Sequence, residues 1–564
     1  MKKLSLLLAL CLMLSFSASA YNFPQPDWGK LLKERENMVT ETEFELYTKG
    51  PIESAPYYGA RFEPRGGTYL GMVAENSTNF QPLGSYLTYL QNMEYSDFYY
   101  PANTMIRNDS VVAMVGWTID SFGLVNYDHI RATLNNLNSY GKPMFIRFAN
   151  EMNCSALGDD PELYKEIFRN VADMVHEYDN FAVVWSPVDL GSLDRPFELY
   201  YPGDEYVDWV GLSCYSIKYF QGNPNTEYKS SVYFMTGDFA WATNRIKPFM
   251  EFLEKNGIEK PVMISEGGVA TNNKFGEDLE WWATPRLGNM LYNLVMKYPQ
   301  IKMINYFNNP RPGETERFDI SNYQYAADIF NQARVSGAYI TNANGNAEFV
   351  FQPATNGETL IAENGIVQLY TLAHFPNTAE FAVNYTVDGE WYHATSARPF
   401  VCDLDISNMD DGAHTVEIQT LGVSKNYTFY KNGNYIRFGA EPEVPETPDY
   451  VTVKVNNRTL EFDQPPIIEN GRTLVPLRAI FEALGASVSW DDNTQTVGAY
   501  RGYNNSISLT IGKSEMYVNG EVRYLDVPAK LVGGRTLVPA RAVAEAFGCD
   551  VKWISETQTV VITE

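Results

Sequence analysis

Between about residues 50 and 335 the chain repeatedly alternates a short apolar run with a longer segment whose apolar residues recur three and four apart. The first kind of segment suits a strand buried on both faces, and the second suits a helix with one buried stripe. Pro143–Phe148, Phe181–Ser186, Val207–Cys214, Pro261–Ser265 and Ile301–Phe307 are the strand candidates. Asp128–Ser139, Pro161–Glu177, Ala242–Asn256 and Pro285–Lys297 are the helix candidates. Strand–helix alternation of this kind builds parallel sheets, and a stretch of about 280 residues is the usual size of a closed (β/α)8 TIM barrel. An open doubly wound sheet is the alternative, but no Gly-rich phosphate-binding turn follows an early strand.

The pattern changes further along. Residues 336–438 alternate apolar and polar positions in short runs separated by turn residues, as in Thr386–Trp391 and Asp411–Val416, which predicts an antiparallel β-sandwich. The arrangement resembles a bacterial immunoglobulin-like module. Residues 439–450 are rich in Pro and Glu and read as a stiff linker. In 451–564 a unit repeats: Gly471-Arg472-Thr473-Leu474-Val475-Pro476 returns as Gly534-Arg535-Thr536-Leu537-Val538-Pro539. The copies stay aligned through Arg478/Arg541, Trp490/Trp553 and Thr494–Val497/Thr557–Val560. Each copy reads as a hairpin, a short helix and a closing strand pair, too small to bury a core alone, so the two are expected to pack together. This small α+β segment closely resembles the copper amine oxidase N-terminal-like (stalk) domain. No His lies beyond His414, so imidazole ligands for copper are absent from it, and a structural or cell-wall attachment role is expected.

Composition narrows the partners. A formal net charge of −26 disfavours phosphate backbones and anionic membranes. Lys2 and Lys3, the apolar run Leu4–Phe16 and the Ala18-Ser19-Ala20 site read as a signal peptide over residues 1–20, so a secreted, extracellular or cell-surface protein is expected. No later run is long and apolar enough for a membrane span. Of five cysteines, Cys11 falls in that leader; Cys154, Cys214, Cys402 and Cys549 are too sparse for a disulfide framework and are expected to be free thiols. The five His show no ligand spacing, so no metal or cofactor is expected. Aromatic residues make up 14% of the chain, which suits a sugar cleft or a barrel core alike.

A parallel barrel gathers its reactive groups at the carboxyl ends of its strands. Two apolar strands here end in an acid: Pro143–Phe148 runs into Ala149-Asn150-Glu151, and Pro261–Ser265 runs into Glu266-Gly267-Gly268. The gap between them holds about three βα units, compatible with strands four and seven. Two carboxyl groups roughly 5–5.5 Å apart are what glycoside cleavage with retention requires, one as nucleophile and one as acid and then base.

Arg147-Phe148-Ala149-Asn150-Glu151-Met152-Asn153, Trp185-Ser186-Pro187, Tyr201–Gly211 and Ile264-Ser265-Glu266 together resemble glycoside hydrolase family 26, the β-mannanase-type family, over about residues 60–315. The resemblance implies a secreted retaining glycoside hydrolase acting on a β-linked polysaccharide such as mannan. It makes Glu151 the general acid/base and Glu266 the nucleophile. Tyr215 would hold the nucleophile, Arg147 would lie beneath the pair, and Asn150 would donate to a sugar 2-hydroxyl. Trp117 and Tyr306 are the candidates for aromatic walls of the substrate site. The pattern departs from the family at Asn150, where His is usual, and after Asn153, where Cys154–Gly158 replaces a Trp-rich stretch. Those departures keep open a second possibility, a non-catalytic polysaccharide-binding or cell-surface protein with a glycosidase-like barrel.

Overall fold

The structure is a computed structural model. It describes residues 42–563 apart from 74–76, 92–111, 190–194, 219–231, 234–245, 274–278, 310–315, 376–380, 443–449 and the short gaps at 344, 457, 470, 503–504 and 555–556. The signal-peptide reading, most of the Pro/Glu linker and the start of the helix expected from Ala242 therefore lie outside the described residues. The chain forms two compact units, 1–442 and 443–564.

Eight parallel strands close on themselves in the first unit: Thr68–Val73, Ser85–Gln91, Val112–Thr118, Met144–Phe148, Phe181–Trp185, Trp209–Lys218, Val262–Val269 and Ile301–Tyr306. Closure comes from the eighth strand pairing with the first, with Tyr306 opposite Met72. The strands are apolar on both faces because one face fills the barrel and the other meets the helices.

The helix Tyr127–Asn138 starts where the Asn126 side chain accepts from the His129 amide, and it buries Ile130, Leu134 and Leu137. The helix Pro161–His176 starts with Asp160 capping the Leu163 amide and Pro161 in the first turn. Lys247–Lys255 precedes the seventh strand. Glu280–Gly288 runs through a π-turn, Asn289–Asn293, into Leu294–Lys297 before the eighth, and Gln324–Arg334 follows it. Between the fifth and sixth strands, among the described residues, only two 3-10 turns (Phe197–Leu199 and Asp204–Tyr206) stand where a helix would complete the regular repeat.

Two antiparallel sheets follow in the same unit. The smaller has the order Val350–Pro353, Glu43–Gly50, Ile366–His374, Phe400–Asp405. The larger has the order Thr359–Ile361, Tyr435–Phe438, Val423–Asn432, Gly412–Thr420, Val383–Val387, Glu390–Thr395. The strand Glu43–Gly50 sits between partners some 300 residues downstream, so the sandwich begins before the barrel rather than at residue 336. Phe44 and Leu46 explain this: they join Leu369, Phe400 and Phe429 in the sandwich core.

In the second unit the repeated sequences pair with each other. Arg472–Pro476 lies antiparallel to Arg535–Pro539, with Val475 opposite Val538. The helices that follow, Leu477–Ala483 and Ala540–Ala546, share one core, in which Phe481 meets Phe547 edge-on. Neither copy could bury these faces alone, which is why the sequence carries two.

Candidate active site

Arg147 is the hub of the barrel mouth. It ends the fourth strand facing the lumen and is fully buried. Its Nη1 donates to Glu266 Oε2 at 3.0 Å and its Nη2 to Glu151 Oε1 at 3.4 Å. Nη2 also donates to Ser213, and Nε donates to Ser186 Oγ at 2.9 Å. One planar fork thus carries both carboxylates on its two terminal nitrogens, and serines from the fifth and sixth strands hold the fork in place.

Backbone irregularities aim the two acids. Glu151 has φ 60° and ψ 30°, and Ala149 just before it has φ 47°. Left-handed backbone is costly for residues with a Cβ and is kept where the surroundings fix it. Here the Ala149 amide bonds to Trp117 O and the Glu151 amide to Ser186 O, both at 2.8 Å. On the seventh strand the register slips: Leu212 faces Ile264, but Ser213 faces Glu266. Ser265 is the extra residue of this bulge. Side chains alternate along a regular strand, yet Ser265 bonds Ser186 at 2.7 Å and Glu266 bonds Arg147, both inside the barrel.

Glu266 is fully buried and also accepts from the Tyr215 hydroxyl. Burial and then the Glu266 charge raise the Tyr215 phenol well above its usual range, so it remains a donor. Phe318 and Phe307 pack around the Tyr215 ring at 4.8 and 6.0 Å. Burial pushes the Glu151 carboxyl up to about 7; the neighbouring Glu266 charge adds to this, and Arg147 only partly offsets it. Burial also works against the Arg147 charge, but Glu266 and Glu151 outweigh it and raise that group. With Glu151 protonated, Arg147 and Glu266 balance, and the buried trio is neutral. The arrangement can therefore present a proton at Glu151 and a held carboxylate at Glu266.

Of the expected binding residues, Asn150 lies at the site, buried, with its Oδ1 lacking a hydrogen-bond partner among the described residues. Trp117 and Tyr306 do not line it. Trp117 is 1% exposed and packs edge-on against Phe148 at 5.8 Å; Gly116, not Trp117, is in register with Arg147. Tyr306 is fully buried, exchanges hydrogen bonds with the Val269 backbone and meets Phe330 at 6.0 Å. The strand pleat turns both rings into the packed layer, away from the lumen. Of the polar residues near Tyr306 in sequence, Asn305 accepts from Ser85 at 2.7 Å and Asn308 donates to Ser321 at 2.9 Å. Cys154 approaches the Glu151 carbonyl at 3.3 Å, and Cys214, Cys402 and Cys549 are buried.

Sequence reasoning missed Tyr89 on the second strand. Burial raises its phenol well above the usual range, and Glu266 and Glu151 act in the same direction, so its hydroxyl lies within their field. Tyr89 is opposite Gly116, where a Cβ would come within 2.9 Å of its ring, so the glycine admits it. The signal was the register row Tyr89–Gly116–Arg147, which needs strand pairing to be visible.

Residues 98–276 match the family described as glycosyl hydrolase family 26, a span that includes Arg147, Glu151, Tyr215 and Glu266. These residues form a glycosyl hydrolase family 26 domain. Residues 454–562 match the copper amine oxidase N-terminal domain. That second domain does not fit a copper centre, since its sequence has no His and one Cys, the buried Cys549. The chain is similar to a β-1,3-xylanase from an Alcaligenes species, 30% identical over 125 residues, covering 21% of this chain and 25% of the relative. A β-1,3-xylanase, TXYA, from a Vibrio species is 31% identical over 96 residues, covering 16% and 20%. The chain thus spans a quarter or less of these curated relatives. Among solved structures, a Cellulomonas fimi endo-β-1,4-mannanase double mutant is 13% identical, with a TM-score of 0.36, covering 68% of this chain and 99% of that one. A Bacteroides ovatus family 26 β-mannanase is 16% identical, with a TM-score of 0.35, covering 50% and 93%.

Proposed function

We propose that the protein is a retaining glycoside hydrolase that cleaves a neutral β-linked polysaccharide, of the mannan or β-1,3-xylan class, by double displacement. The observation that carries this reading is the sharing of one guanidinium by two carboxylates from the fourth and seventh strands. Glu266, held by Arg147 and Tyr215, attacks the anomeric carbon. Glu151, its proton retained by burial, protonates the leaving oxygen. Once the first product departs, the Glu151 carboxylate takes a proton from water, which attacks the same carbon and releases Glu266. Asn150, with an unpaired buried carboxamide oxygen, is suited to the sugar 2-hydroxyl. The relatives named as β-1,3-xylanases and the family 26 match support a polysaccharide substrate. The residue 1–20 pattern supports export, and the C-terminal domain is proposed as an attachment to the cell wall.

Hydrolysis of mannans, β-1,3-xylan and β-glucans by the full chain, beside Glu266→Ala, tests the reading. Loss of transition-state stabilisation of several kcal/mol is expected, with the first product formed in the β-configuration by NMR. Equal activity in the variant would refute the nucleophile, and an inverted product would refute retention.

A non-catalytic polysaccharide-binding barrel is favoured by one observation: Trp117 and Tyr306 offer no ring to a sugar. Glycan binding without product after prolonged incubation would select it.

A further inference from the structure

The outer face of the larger sandwich sheet carries an aromatic side chain that the fold does not use. Trp391 is 70% exposed, on an edge strand whose next residues supply the packing. The Tyr392 hydroxyl donates to Asp403 O at 3.0 Å and accepts from the Asp405 amide at 2.7 Å, pinning the strand to the opposite sheet. His393 meets the buried Tyr385 ring at 6.0 Å. A register slip between Tyr385 and Thr386 lets Tyr392 and His393 both pack while Trp391 remains outside.

The ring stands on a fixed base. Asp388 and Gly389, at φ 52° and 84°, form the two-residue loop between Val387 and Glu390. Asp388 is tied to His414 Nδ1 at 2.7 Å and to the Thr415 amide at 2.8 Å. A lone exposed ring needs no explanation by itself; what distinguishes this one is the row of hydrogen-bonding side chains that continues from it across the sheet.

Its neighbours define the contact. Strand register places Thr386, Glu417 and Asn426 in one row with Trp391, and Asn384 and Gln419 in the next row on the same face. The first row crosses four strands, roughly 14 Å at the usual strand spacing. It offers a ring for a C–H face, then hydroxyl, carboxylate and amide groups. Only Glu417 among these six is charged, and Thr386 donates to it at 3.4 Å. A polyanion is disfavoured by Glu417 and by the net charge of −26. A stable protein interface needs a broader apolar centre than one ring among hydroxyls and amides.

We infer that this face binds a neutral polysaccharide chain, stacked on Trp391 and hydrogen-bonded along the Thr386–Asn426 row, apart from the barrel mouth. The choice of glycan probe rests on the hydrolase reading, but the binding itself does not.

The test is affinity electrophoresis of the full chain through native gels containing soluble β-mannan, β-1,3-xylan or β-glucan. Glu266→Ala serves as background so that the gel is not degraded. At least one glycan is expected to retard the chain, and Trp391→Ala to weaken that retardation about tenfold, with an unchanged melting curve. Asn426→Ala is expected to weaken it less. Equal retardation with and without Trp391, or no retardation by any glycan, would overturn the inference. Hydrolysis of a short soluble oligosaccharide by Trp391→Ala in the Glu266 chain separates the two readings: activity without Trp391-dependent retardation sinks the face alone, and retardation without activity sinks the hydrolase alone.

Discussion

Replacing Glu151 with Gln should stabilise the barrel, and do so far more in mild alkali than in mild acid. The carboxyl is buried beside Glu266, and its folded-state value of about 7 lies above the ordinary 4.5. A group raised on folding contributes favourably below its unfolded value, and that contribution is lost as pH rises through the folded one. At about pH 8 the wild-type protein must ionise Glu151 inside the barrel or hold its proton against the solvent, and either opposes folding. At about pH 5 most of that cost is absent. The difference between the two conditions is about 2–3 kcal/mol, from 1.36 kcal/mol per pK unit. Gln removes the titration and retains an oxygen for Arg147 Nη2. Urea or thermal unfolding of both proteins at the two pH values measures the effect, with an expected excess gain in melting temperature of roughly 2–4 °C in the alkaline condition for a unit of this size. An equal gain at both pH values would refute the reasoning, because it would mean that Glu151 does not titrate between them.

The same ionisation should set the alkaline limb of kcat/KM: activity on soluble glycan is expected to fall as pH rises through about 7. A profile flat to about pH 9 would remove Glu151 as the acid. Tyr215→Phe deletes one donor to Glu266 and should lower kcat about 10- to 100-fold, with KM little changed and the melting curve preserved. Lys302 is fully buried at the start of the eighth strand, with no hydrogen bond to its Nζ among the described residues, and burial lowers it to about 8. The depressed value means that the cost of its charge is present below about 8 and fades toward the unfolded value near 10.4, so Lys302→Met should stabilise by about 2–3 kcal/mol at neutral pH in urea unfolding, and by less in strong alkali. Ala149→Gly removes left-handed strain at φ 47° and should add about 0.5–1 kcal/mol in the same assay.

The barrel was legible because its strands must be apolar on both faces, and Met144–Phe148, Phe181–Trp185 and Ile301–Tyr306 differ from the expected runs only at their ends. Glu151 and Glu266 were legible for a related reason: an acid directly after such a run has few places to lie other than the rim. The aromatic walls were not. Trp117 and Tyr306 also end strands, but which face a strand-terminal ring occupies depends on register with the neighbouring strand. Tyr89 was hidden in the same way, as was Trp391, whose outward position depends on a slip that no single strand reveals. The early sandwich strand Glu43–Gly50 was missed because its partners are distant in sequence, and local periodicity carries no record of pairing.

The extra residue at Ser265 makes the geometry of the seventh strand discontinuous with respect to chain length. Lose that one serine and the alternation becomes regular: the acid after Ile264 would still face the lumen opposite Ser213, but Ser186 would lose the hydroxyl that steadies it beneath the Arg147 fork. Relatives in which this segment is one residue shorter should therefore keep an inward acid on a looser guanidinium, so an alignment gap there marks a slower hydrolase and not an empty scaffold.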